Sequence, residues 1–387
     1  MEAFQEMMSK WSYPTDIRFG SGRLAELPEA CETLKIKNPL FIIDRFLTEL
    51  GILQKIFDLL RPFGIQYGIF SEVKPNPTEK NVSKALDFLK TGDYDGVIAF
   101  GGGSVLDVGK TVALMVGQTR PLWDFEDLGD YWTRANSDSI LPVIAIPTTA
   151  GTGSEVGRAS VIVNSQTFEK KIIFHPKMLP ATVICDPDLT LTMPREVTAG
   201  TGLDAFAHCI EAFSSPKFHP MSQAIALEGM RLVIENLPRV YAMGSDIEAR
   251  GNMMCAAMMG ATAFQKGLGA VHAMSHPIGG LVNSHHGMTN AVCMLPVLRF
   301  NKPLIEGKFN KAANYLGIKG GFSGFCDFVE EFNRSLGVPK SLLELGVKVD
   351  QIQDLVAMAL KDPSCQGNPI KLNQDNMTKL FKKDCED

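Results

Sequence analysis

The sequence has few of the features that mark secreted, membrane-spanning or disulfide-stapled proteins. None of its eight cysteines forms a C-x-x-C pair, and they are scattered along 387 residues. No stretch approaches the roughly 18 uninterrupted apolar residues of a spanning helix, and residues 1–22 lack a basic segment followed by an apolar run. We therefore expect reduced core cysteines and a cytoplasmic protein with no membrane partner.

An excess of positive charge is also lacking. Lys and Arg total 38 against 43 Asp and Glu, which gives a net charge of −5 at pH 7. An acidic chain is a poor partner for nucleic acid or an anionic membrane surface, so we expect neither. The 45% hydrophobic content is ordinary for a globular protein with a large core, and the length suggests about two or three domains.

Short apolar runs alternate with amphipathic segments in the first half of the chain. The runs that read as strands are PLFII (39–43), IQYGIF (65–70), GVIAF (96–100) and LPVIAI (141–146). Continuous apolar strands separated by helices are typical of parallel β-α-β units, and pairs of such units form a doubly wound sheet. Sheets of this kind bind ligands at the carboxyl ends of their strands.

The pattern changes after about residue 190. Helical periodicity dominates from there, and strand-like runs nearly vanish. Prolines and aspartates punctuate the segment CDPDLTLTMP (185–194). We predict an α/β domain at residues 1–188 followed by an all-helical domain at residues 189–387.

Two glycine-rich turns follow predicted strands. In AFGGGSVLDVGKT (99–111), glycines allow close approach of a ligand, and the amides at a helix start attract phosphate. Neither common fingerprint is present, because Leu106 stands where G-x-G-x-x-G needs glycine and Ser104 where a P-loop does. PTTAGTGSE (147–155) adds hydroxyls beside glycines. Together the two turns predict a binding site for an extended ligand such as a dinucleotide. For the turn at 99–111 alone, the alternative is a tight β-α turn that binds no ligand.

Asp44 ends the first predicted strand. A carboxylate there could bond the ribose hydroxyls of a dinucleotide and repel a 2′-phosphate, which favours NAD over NADP. The alternative is that Asp44 only begins the following helix.

Histidine is scarce, yet four of the seven histidines fall within residues 272–286. His272 and His276 are four residues apart and share a helical face, whereas His286 would lie about 21 Å from His272 on one unbroken helix. Since the ligands of one metal lie within about 2.0–2.2 Å of it, the helix must end and the chain return. We predict that PIGG (277–280) supplies the break.

Asp204 and His208 have the same four-residue spacing and apolar neighbours, so they could complete a site with the histidine cluster. Three imidazoles and one carboxylate suit Fe²⁺ or Zn²⁺, and a divalent cation there would act as a Lewis acid toward an alcohol or carbonyl oxygen. The alternative is a set of hydrogen-bonded core histidines without a metal.

Long motifs of the chain resemble those of the iron-containing (group III) alcohol dehydrogenase family in order and spacing. They are FGGGSVLDVGK, PNPT (75–78), IPTTAGTGSEV, GLDAFAHCIEAF, and AFQKGLGAVHAMSHPIGG followed by HHGMTNAV. The resemblance covers most of the chain. It implies the fold shared with dehydroquinate synthase: an N-terminal dinucleotide-binding α/β domain, an all-α C-terminal domain and a metal in the cleft between them. It also implies a homodimer or larger homo-oligomer.

The resemblance further implies roles for individual residues. Asp204, His208, His272 and His286 would bind the metal, Fe²⁺ or alternatively Zn²⁺, and His276 would sit beside the nicotinamide and relay protons. NAD would be lined by Asp44, Asn76, Gly102, Gly103, Ser104, Asp107, Thr148, Thr149, Thr152 and Lys170.

The implied reaction is hydride transfer between NAD(H) and a small primary alcohol or aldehyde. Three rivals are a dehydroquinate synthase-like lyase, a hydroxyacid–oxoacid transhydrogenase and an NAD-binding sensor without catalysis. The lyase would need Lys and Arg for a phosphorylated substrate, and residues 204–212 and 268–290 contain neither. Departures from the family pattern at Gly157, Arg158 and His285 leave the substrate open.

Overall fold

The structure is a computed structural model that describes residues 13–49 and 51–386. Its contacts divide the described chain into two units, residues 13–193 and residues 194–386. In the described residues, no helix is both long and apolar enough to cross a membrane.

The first unit is built on a parallel sheet. Its strands are β1 (Asp16–Phe19), β2 (Pro39–Asp44), β3 (Gly68–Val73), β4 (Gly96–Gly101), β5 (Val143–Pro147), β6 (Ala159–Val163), β7 (Lys170–Phe174) and β8 (Thr182–Cys185). Six of them form one sheet in the order β1-β8-β5-β4-β2-β3, and every neighbouring pair is parallel. The strands β6 and β7 form a separate antiparallel pair.

The central strands are apolar and buried along their whole length. Every residue of β4 and β5 is buried, and only Asp44 at the end of β2 is partly exposed. Helices cover such a sheet on both faces, which explains why these strands read as continuous apolar runs. In this unit the helices are α1 (Leu27–Thr33), α2 (Arg45–Glu49), α3 (Ile52–Leu60), α4 (Glu79–Leu89) and α5 (Gly103–Met115).

The second unit is helical. Its helices are α6 (Arg195–Ser214), α7 (Pro220–Ala242), α8 (Ile247–Ala263), α9 (Ala270–Val282), α10 (His286–Tyr315), α11 (Gly321–Ser335), α12 (Ile352–Ala359) and α13 (Gln374–Glu386). Several turns contain 3-10 helices, of which Pro363–Gly367 bears on the site below. The helix α6 is buried over most of its length, so its few polar side chains require partners within the unit.

Candidate metal centre

The buried helix α6 contributes the first part of the site. Asp204, His208 and Glu211 lie one helical turn apart on it, and their exposed fractions are 3%, 5% and 4%. Ionisable groups at this depth are stable only when they are paired, hydrogen-bonded or bound to a metal. The face that carries them is therefore where a site is expected.

The helix α9 contributes His272 and His276, both buried. The predicted break at residues 277–280 is wrong, because α9 continues through Pro277 to Val282. Proline removes only one backbone hydrogen bond of the helix. The residues of α9 around Pro277 are buried, so their packing in the core keeps the helix intact. The chain turns instead at Asn283, whose left-handed backbone has φ 53°. The next helix, α10, then begins with His286.

The turn brings His286 back to the other candidate ligands. Oδ1 of Asp204 lies 3.5 Å from Nε2 of His286, 3.7 Å from Nε2 of His208 and 3.8 Å from Nε2 of His272. Four ligand atoms arranged tetrahedrally, each about 2.0–2.2 Å from an ion, lie roughly 3.3–3.6 Å apart. The measured spacings are close to that range.

The donor set fits a divalent metal ion. Ligand atoms of Asp204, His208 and His272 all lie within 4.8 Å of one another, and all three side chains are buried. Three imidazole nitrogens and one carboxylate oxygen match the preferences of Fe²⁺ and Zn²⁺. The alternative of hydrogen-bonded core histidines fits less well, because the three Nε2 atoms lie 3.5–3.8 Å from Oδ1 of Asp204, which is beyond the usual length of a hydrogen bond.

Two glycines allow α6 and α10 to approach closely enough for this geometry. A Cβ atom on Gly287 would overlap the carbonyl oxygen of Gly200 and would lie 3.1 Å from Cβ of Asp204. A Cβ atom on Gly200 would in turn overlap the ring of His285. His285 therefore packs against α6, while the adjacent His286 faces Asp204.

Two carboxylates that the sequence analysis missed support the imidazoles of α9. Nδ1 of His272 lies 2.5 Å from Oε2 of Glu211, and Nδ1 of His276 lies 2.7 Å from Oδ2 of Asp362. A carboxylate accepts a hydrogen bond from the Nδ1 proton, so Nε2 is the nitrogen of each ring that faces away from its carboxylate and toward the cluster. The seven-residue spacing of Glu211 from Asp204 could have signalled its role, whereas Asp362 has no comparable local signal.

Asn290 is a further residue that the sequence analysis missed. It is fully buried one turn after His286, and its Nδ2 donates to Oδ1 of Asp204 at 2.8 Å. The same nitrogen lies 3.3 Å from Nε2 of His272 and of His286. Oδ1 of Asn290 has no hydrogen-bond partner among the described residues. Asn290 thus contacts three of the four candidate ligand atoms.

The electrostatics of the cluster favour a charged Asp204. Burial alone would raise the pKa of this carboxyl, but the imidazoles of His208 and His286 hold it well below its usual range. Burial lowers the pKa of His208 to about 4. Burial also opposes protonation of His272, yet the carboxylates of Glu211 and Asp204 raise its pKa to about 9. The site thus combines charged carboxylates with a mostly buried environment, which suits a cation, although the side chain of His286 is 25% exposed.

Several of the predicted cofactor residues of the first unit lie at the carboxyl ends of neighbouring strands. Asp44 is the last residue of β2, the glycine turn follows β4, and the hydroxyl-rich turn follows β5, and these three strands are neighbours. The two turns touch, since a Cβ atom on Gly102 would lie 3.2 Å from Cγ2 of Thr149 and one on Gly103 would overlap Thr152. The strand order reverses between β2 and β4, where doubly wound sheets bind nucleotides.

Other predicted cofactor residues have structural partners or flank these turns. Oδ1 of Asp44 accepts the backbone N–H of Leu47 at 2.9 Å, so Asp44 does begin α2. Oδ1 of Asp107 accepts the Ser154 hydroxyl at 2.5 Å, and its Oδ2 accepts the backbone N–H of Val161 at 2.9 Å. The remaining predicted residues are Ser104 in the first turn of α5, Thr148 beside β5, Asn76 with φ 49° before α4, and Lys170 at the start of β7.

Sequence profiles of one enzyme family match both halves of the chain. Residues 14–187 match the profile described as iron-containing alcohol dehydrogenase, and residues 198–385 match that of the C-terminal part of the Fe-containing alcohol dehydrogenase family. A similar protein is 4-hydroxybutyrate dehydrogenase of Cupriavidus necator, 38% identical over 380 residues, which cover 96% of this chain and 98% of that protein.

Solved structures agree with the profiles. The crystal structure of 1,3-propanediol oxidoreductase aligns with a TM-score of 0.91 and 32% identity, covering 97% of this chain and 99% of that one. Sulfoacetaldehyde reductase from Bifidobacterium kashiwanohense, solved in complex with NAD⁺, aligns with a TM-score of 0.89 and 28% identity over 98% and 99% of the two chains.

Proposed function

Because the chain belongs to the iron-containing alcohol dehydrogenase family, we propose that it transfers a hydride between NAD(H) and a small primary alcohol or aldehyde at the cluster of Asp204, His208, His272 and His286. The observation that carries the proposal is the convergence of three imidazole Nε2 atoms on Oδ1 of Asp204 at 3.5–3.8 Å. Neither the family nor this donor set requires a phosphorylated substrate, and the absence of Lys and Arg from residues 204–212 and 268–290 disfavours the lyase.

The four residues would hold Fe²⁺, or alternatively Zn²⁺. The ion, when bound, supplies a Lewis acid that lowers the pKa of an alcohol hydroxyl and polarises an aldehyde carbonyl. The residues of α6, α9 and α10 contribute orientation: Asp204 supplies negative charge, and the bond from Nδ1 of His272 to Glu211 turns Nε2 toward the site. Because the pKa of His272 is raised, binding of the ion there would release the Nε2 proton. Burial of Asp204, His208 and His272 shields their ligand atoms from bulk water, whereas the side chain of His286 is 25% exposed.

NAD, when bound, accepts or donates the hydride. The two touching turns after β4 and β5 would hold its phosphates through backbone amides and threonine hydroxyls, as helix N-termini and glycine turns do. The residues proposed to line the cofactor are Asp44, Asn76, Gly102, Gly103, Ser104, Asp107, Thr148, Thr149, Thr152 and Lys170. The NAD⁺ complex of the sulfoacetaldehyde reductase supports this choice of cofactor.

His276 would move the proton of the reaction. Its Nδ1 is engaged by Asp362, so Nε2 is the atom that can accept a proton during alcohol oxidation and return it during aldehyde reduction. His276 packs beside His272 and His286, with ring centroids 5.7 Å and 5.5 Å away. His276 is therefore close to the rings of the candidate ligands, and its orientation is fixed by Asp362, which is not itself a candidate ligand.

The names of similar proteins guide the choice of substrate. They include a 4-hydroxybutyrate dehydrogenase, a 1,3-propanediol oxidoreductase and a sulfoacetaldehyde reductase, which are enzymes for short molecules with a terminal alcohol or aldehyde. We place 4-hydroxybutyrate first among the substrates to test. A homo-oligomeric state is a prediction from the family resemblance, and a cytoplasmic location is a prediction from the sequence features described above.

The test combines metal analysis with turnover. Protein purified without oxygen should contain about one divalent ion per chain, and it should oxidise NADH with short aldehydes, including succinate semialdehyde. His272→Ala should lose both the ion and turnover while keeping its helical circular dichroism. Full turnover with no bound ion would refute the proposal. Aldehyde reduction only in the presence of a second alcohol, without release of NADH, would favour the transhydrogenase.

A further inference from the structure

We propose that two buried carboxylates, Glu211 and Asp362, each position a different imidazole of α9. Glu211 sets the affinity for the metal ion through His272, whereas Asp362 fixes the working orientation of His276 and leaves ion affinity unchanged. This inference rests on the proposed function, because it assigns two residues that support the same site.

Glu211 is held in place from two sides. Its Oε2 accepts the Nδ1 proton of His272 at 2.5 Å, and its Oε1 accepts the backbone N–H of Val271 at 2.7 Å. Val271 is the second residue of α9, so the carboxylate also sits at the positive end of that helix. Both attachments fix the carboxylate, and the carboxylate fixes the ring of His272 with Nε2 toward Asp204.

The approach of Glu211 requires the absence of a side chain at Gly269. A Cβ atom there would lie 3.0 Å from Oε1 of Glu211 and 2.9 Å from Oδ1 of Asn368. Oδ1 of Asn368 accepts the backbone N–H of Ala270 at 3.1 Å, so the first two amides of α9 are both capped by buried side chains. The start of α9, and with it the position of His272, therefore depends on Glu211.

Asp362 is bonded in the same way as Glu211, to one imidazole and one backbone N–H, but its imidazole is that of His276. Its Oδ2 accepts the Nδ1 proton of His276 at 2.7 Å, and its Oδ1 accepts the backbone N–H of Ser364 at 2.8 Å, which anchors it at the start of the 3-10 helix Pro363–Gly367. Of the imidazoles in the described part of the chain, those within 4 Å of the carboxylate oxygens of Asp204 belong to His208, His272 and His286. His276 is outside that set, so Asp362 acts on a ring that is not a candidate ligand.

This difference gives the two carboxylates separable effects. Removing the hydrogen-bond partner of a ligand imidazole typically weakens metal binding about 10–100-fold, so Glu211→Gln should weaken binding by about that factor. Asp362→Asn should leave binding unchanged. Its amide can donate to Nδ1 of His276 and so favour the tautomer with the proton on Nε2, which should lower kcat roughly 10²-fold or more.

The experiment measures Zn²⁺ affinity by chelator competition and kcat and KM by NADH oxidation in the same variants. The set is wild type, Glu211→Gln, Glu211→Asp and Asp362→Asn. Matched controls are Glu330→Gln and Asp327→Asn, two exposed carboxylates on α11. Glu211→Asp retains a carboxylate and should bind Zn²⁺ more tightly than Glu211→Gln. The double variant Asp362→Asn/His276→Ala should be no slower than His276→Ala alone.

The outcomes are decisive in each direction. Equal Zn²⁺ affinity of Glu211→Gln and wild type, a loss of affinity in Asp362→Asn, or additive losses of kcat in the double variant would each overturn the inference. If wild type itself binds no divalent ion, the proposed function and this inference both fail, whereas the other outcomes leave the proposed function intact.

Folding of the variants is controlled separately. If Glu211→Gln does not fold, imidazole ¹H–¹⁵N spectra of the Zn²⁺-loaded wild type decide. Protons on Nδ1 of His272 and His276 support the inference, and protons on Nε2 overturn it.

Discussion

Oδ1 of Asp204 lies 3.5 Å from Nε2 of His286, although one residue is in the middle of α6 and the other begins α10. The approach depends on Gly200 and Gly287, because a side chain at either position would occupy the space between the two helices. A metal ion held by these residues would depend on the packing of the two helices as much as on the ligands themselves. Changes that touch no ligand can therefore remove the ion.

The first prediction concerns Gly287. Gly287→Ala should push α10 away from α6, since its Cβ would overlap the carbonyl oxygen of Gly200. Overpacking a well-packed site typically costs about 1–3 kcal/mol. We expect loss of most of the bound ion and of turnover, together with a lower free energy of unfolding, measured by metal analysis and denaturant titration.

A control for this variant lies in the same helix. Nothing lies within 4 Å of the position that a Cβ atom on Gly307 would take, and Ala is favoured over Gly in a helix by about 0.5–1 kcal/mol. Gly307→Ala should therefore keep the ion and be slightly more stable than wild type. If both variants behave alike, the close helix crossing is not what positions His286.

The second prediction separates binding from chemistry at His276. His276→Ala should retain the metal ion, because its ring is not among the converging ligands, and should lower kcat about 10²–10⁴-fold, as expected for loss of a general acid or base. Metal content and steady-state kinetics on one preparation check it. A variant that loses the ion would show that His276 is a ligand instead.

Local patterns in the sequence predicted much of the fold, and they identified candidate ligands that the structure brings close together. The run 39–43 corresponds to β2 and the run 96–100 to β4, because buried strands are continuously apolar. The run 65–70 overlaps β3 but begins three residues before Gly68, and the hairpin of β6 and β7 was not predicted. Edge strands and short hairpins depend more on tertiary contacts than on their own apolar pattern.

The carboxylates that position the imidazoles could not be predicted from local patterns in the same way. The spacing of His272 and His276 on one helical face is local information, whereas Asp362 reaches His276 only because the chain folds back from a distant turn. The position of the helix break was also mispredicted. Proline at position 277 signals a break locally, but burial of α9 outweighs the loss of one hydrogen bond.

The third prediction concerns Asn290, which donates to Oδ1 of Asp204 at 2.8 Å. Asn290→Asp keeps the shape but puts two carboxyl groups side by side, and like charges at this distance repel. In the presence of a chelator, we expect a lower melting temperature than wild type, with a larger deficit at pH 8 than at pH 5. Added Zn²⁺ should restore stability, because a divalent cation compensates the added charge.

The matched control for Asn290→Asp is Asn310→Asp. Asn310 is exposed in the same helix, and its Oδ1 accepts the backbone N–H of Phe322 at 2.7 Å, a bond that a carboxylate makes equally well. Its melting temperature should not respond to Zn²⁺ beyond the response of wild type. A Zn²⁺-independent loss of stability in Asn290→Asp would argue that Asn290 serves packing alone.

The last prediction concerns the first unit, where Glu155 is buried beside Lys110. Burial raises the pKa of Glu155 to about 7, even though its backbone hydrogen bond and Lys110 act in the opposite direction. The folded state therefore prefers the protonated carboxyl. Protonation of Glu155 therefore stabilises the folded state. This stabilisation is fully present below pH 4.5, the ordinary pKa of glutamate, and it is lost as the pH rises through about 7. At about 1.4 kcal/mol per pKa unit, this difference amounts to roughly 3 kcal/mol.

Glu155→Gln removes the titration and keeps the size of the side chain. Between pH 5 and pH 8 the free energy of unfolding of wild type should fall relative to that of the variant, measured by urea titration with the fluorescence of Trp123 and Trp132, which lie in the same unit. The exposed Glu32, changed to Gln, serves as the control and should follow wild type. Because the folded state binds the proton more tightly than the unfolded chain does, the difference between the two curves should become constant below about pH 4.5. Parallel curves across this range would mean that Glu155 is already ionised in the folded protein, balanced by Lys110.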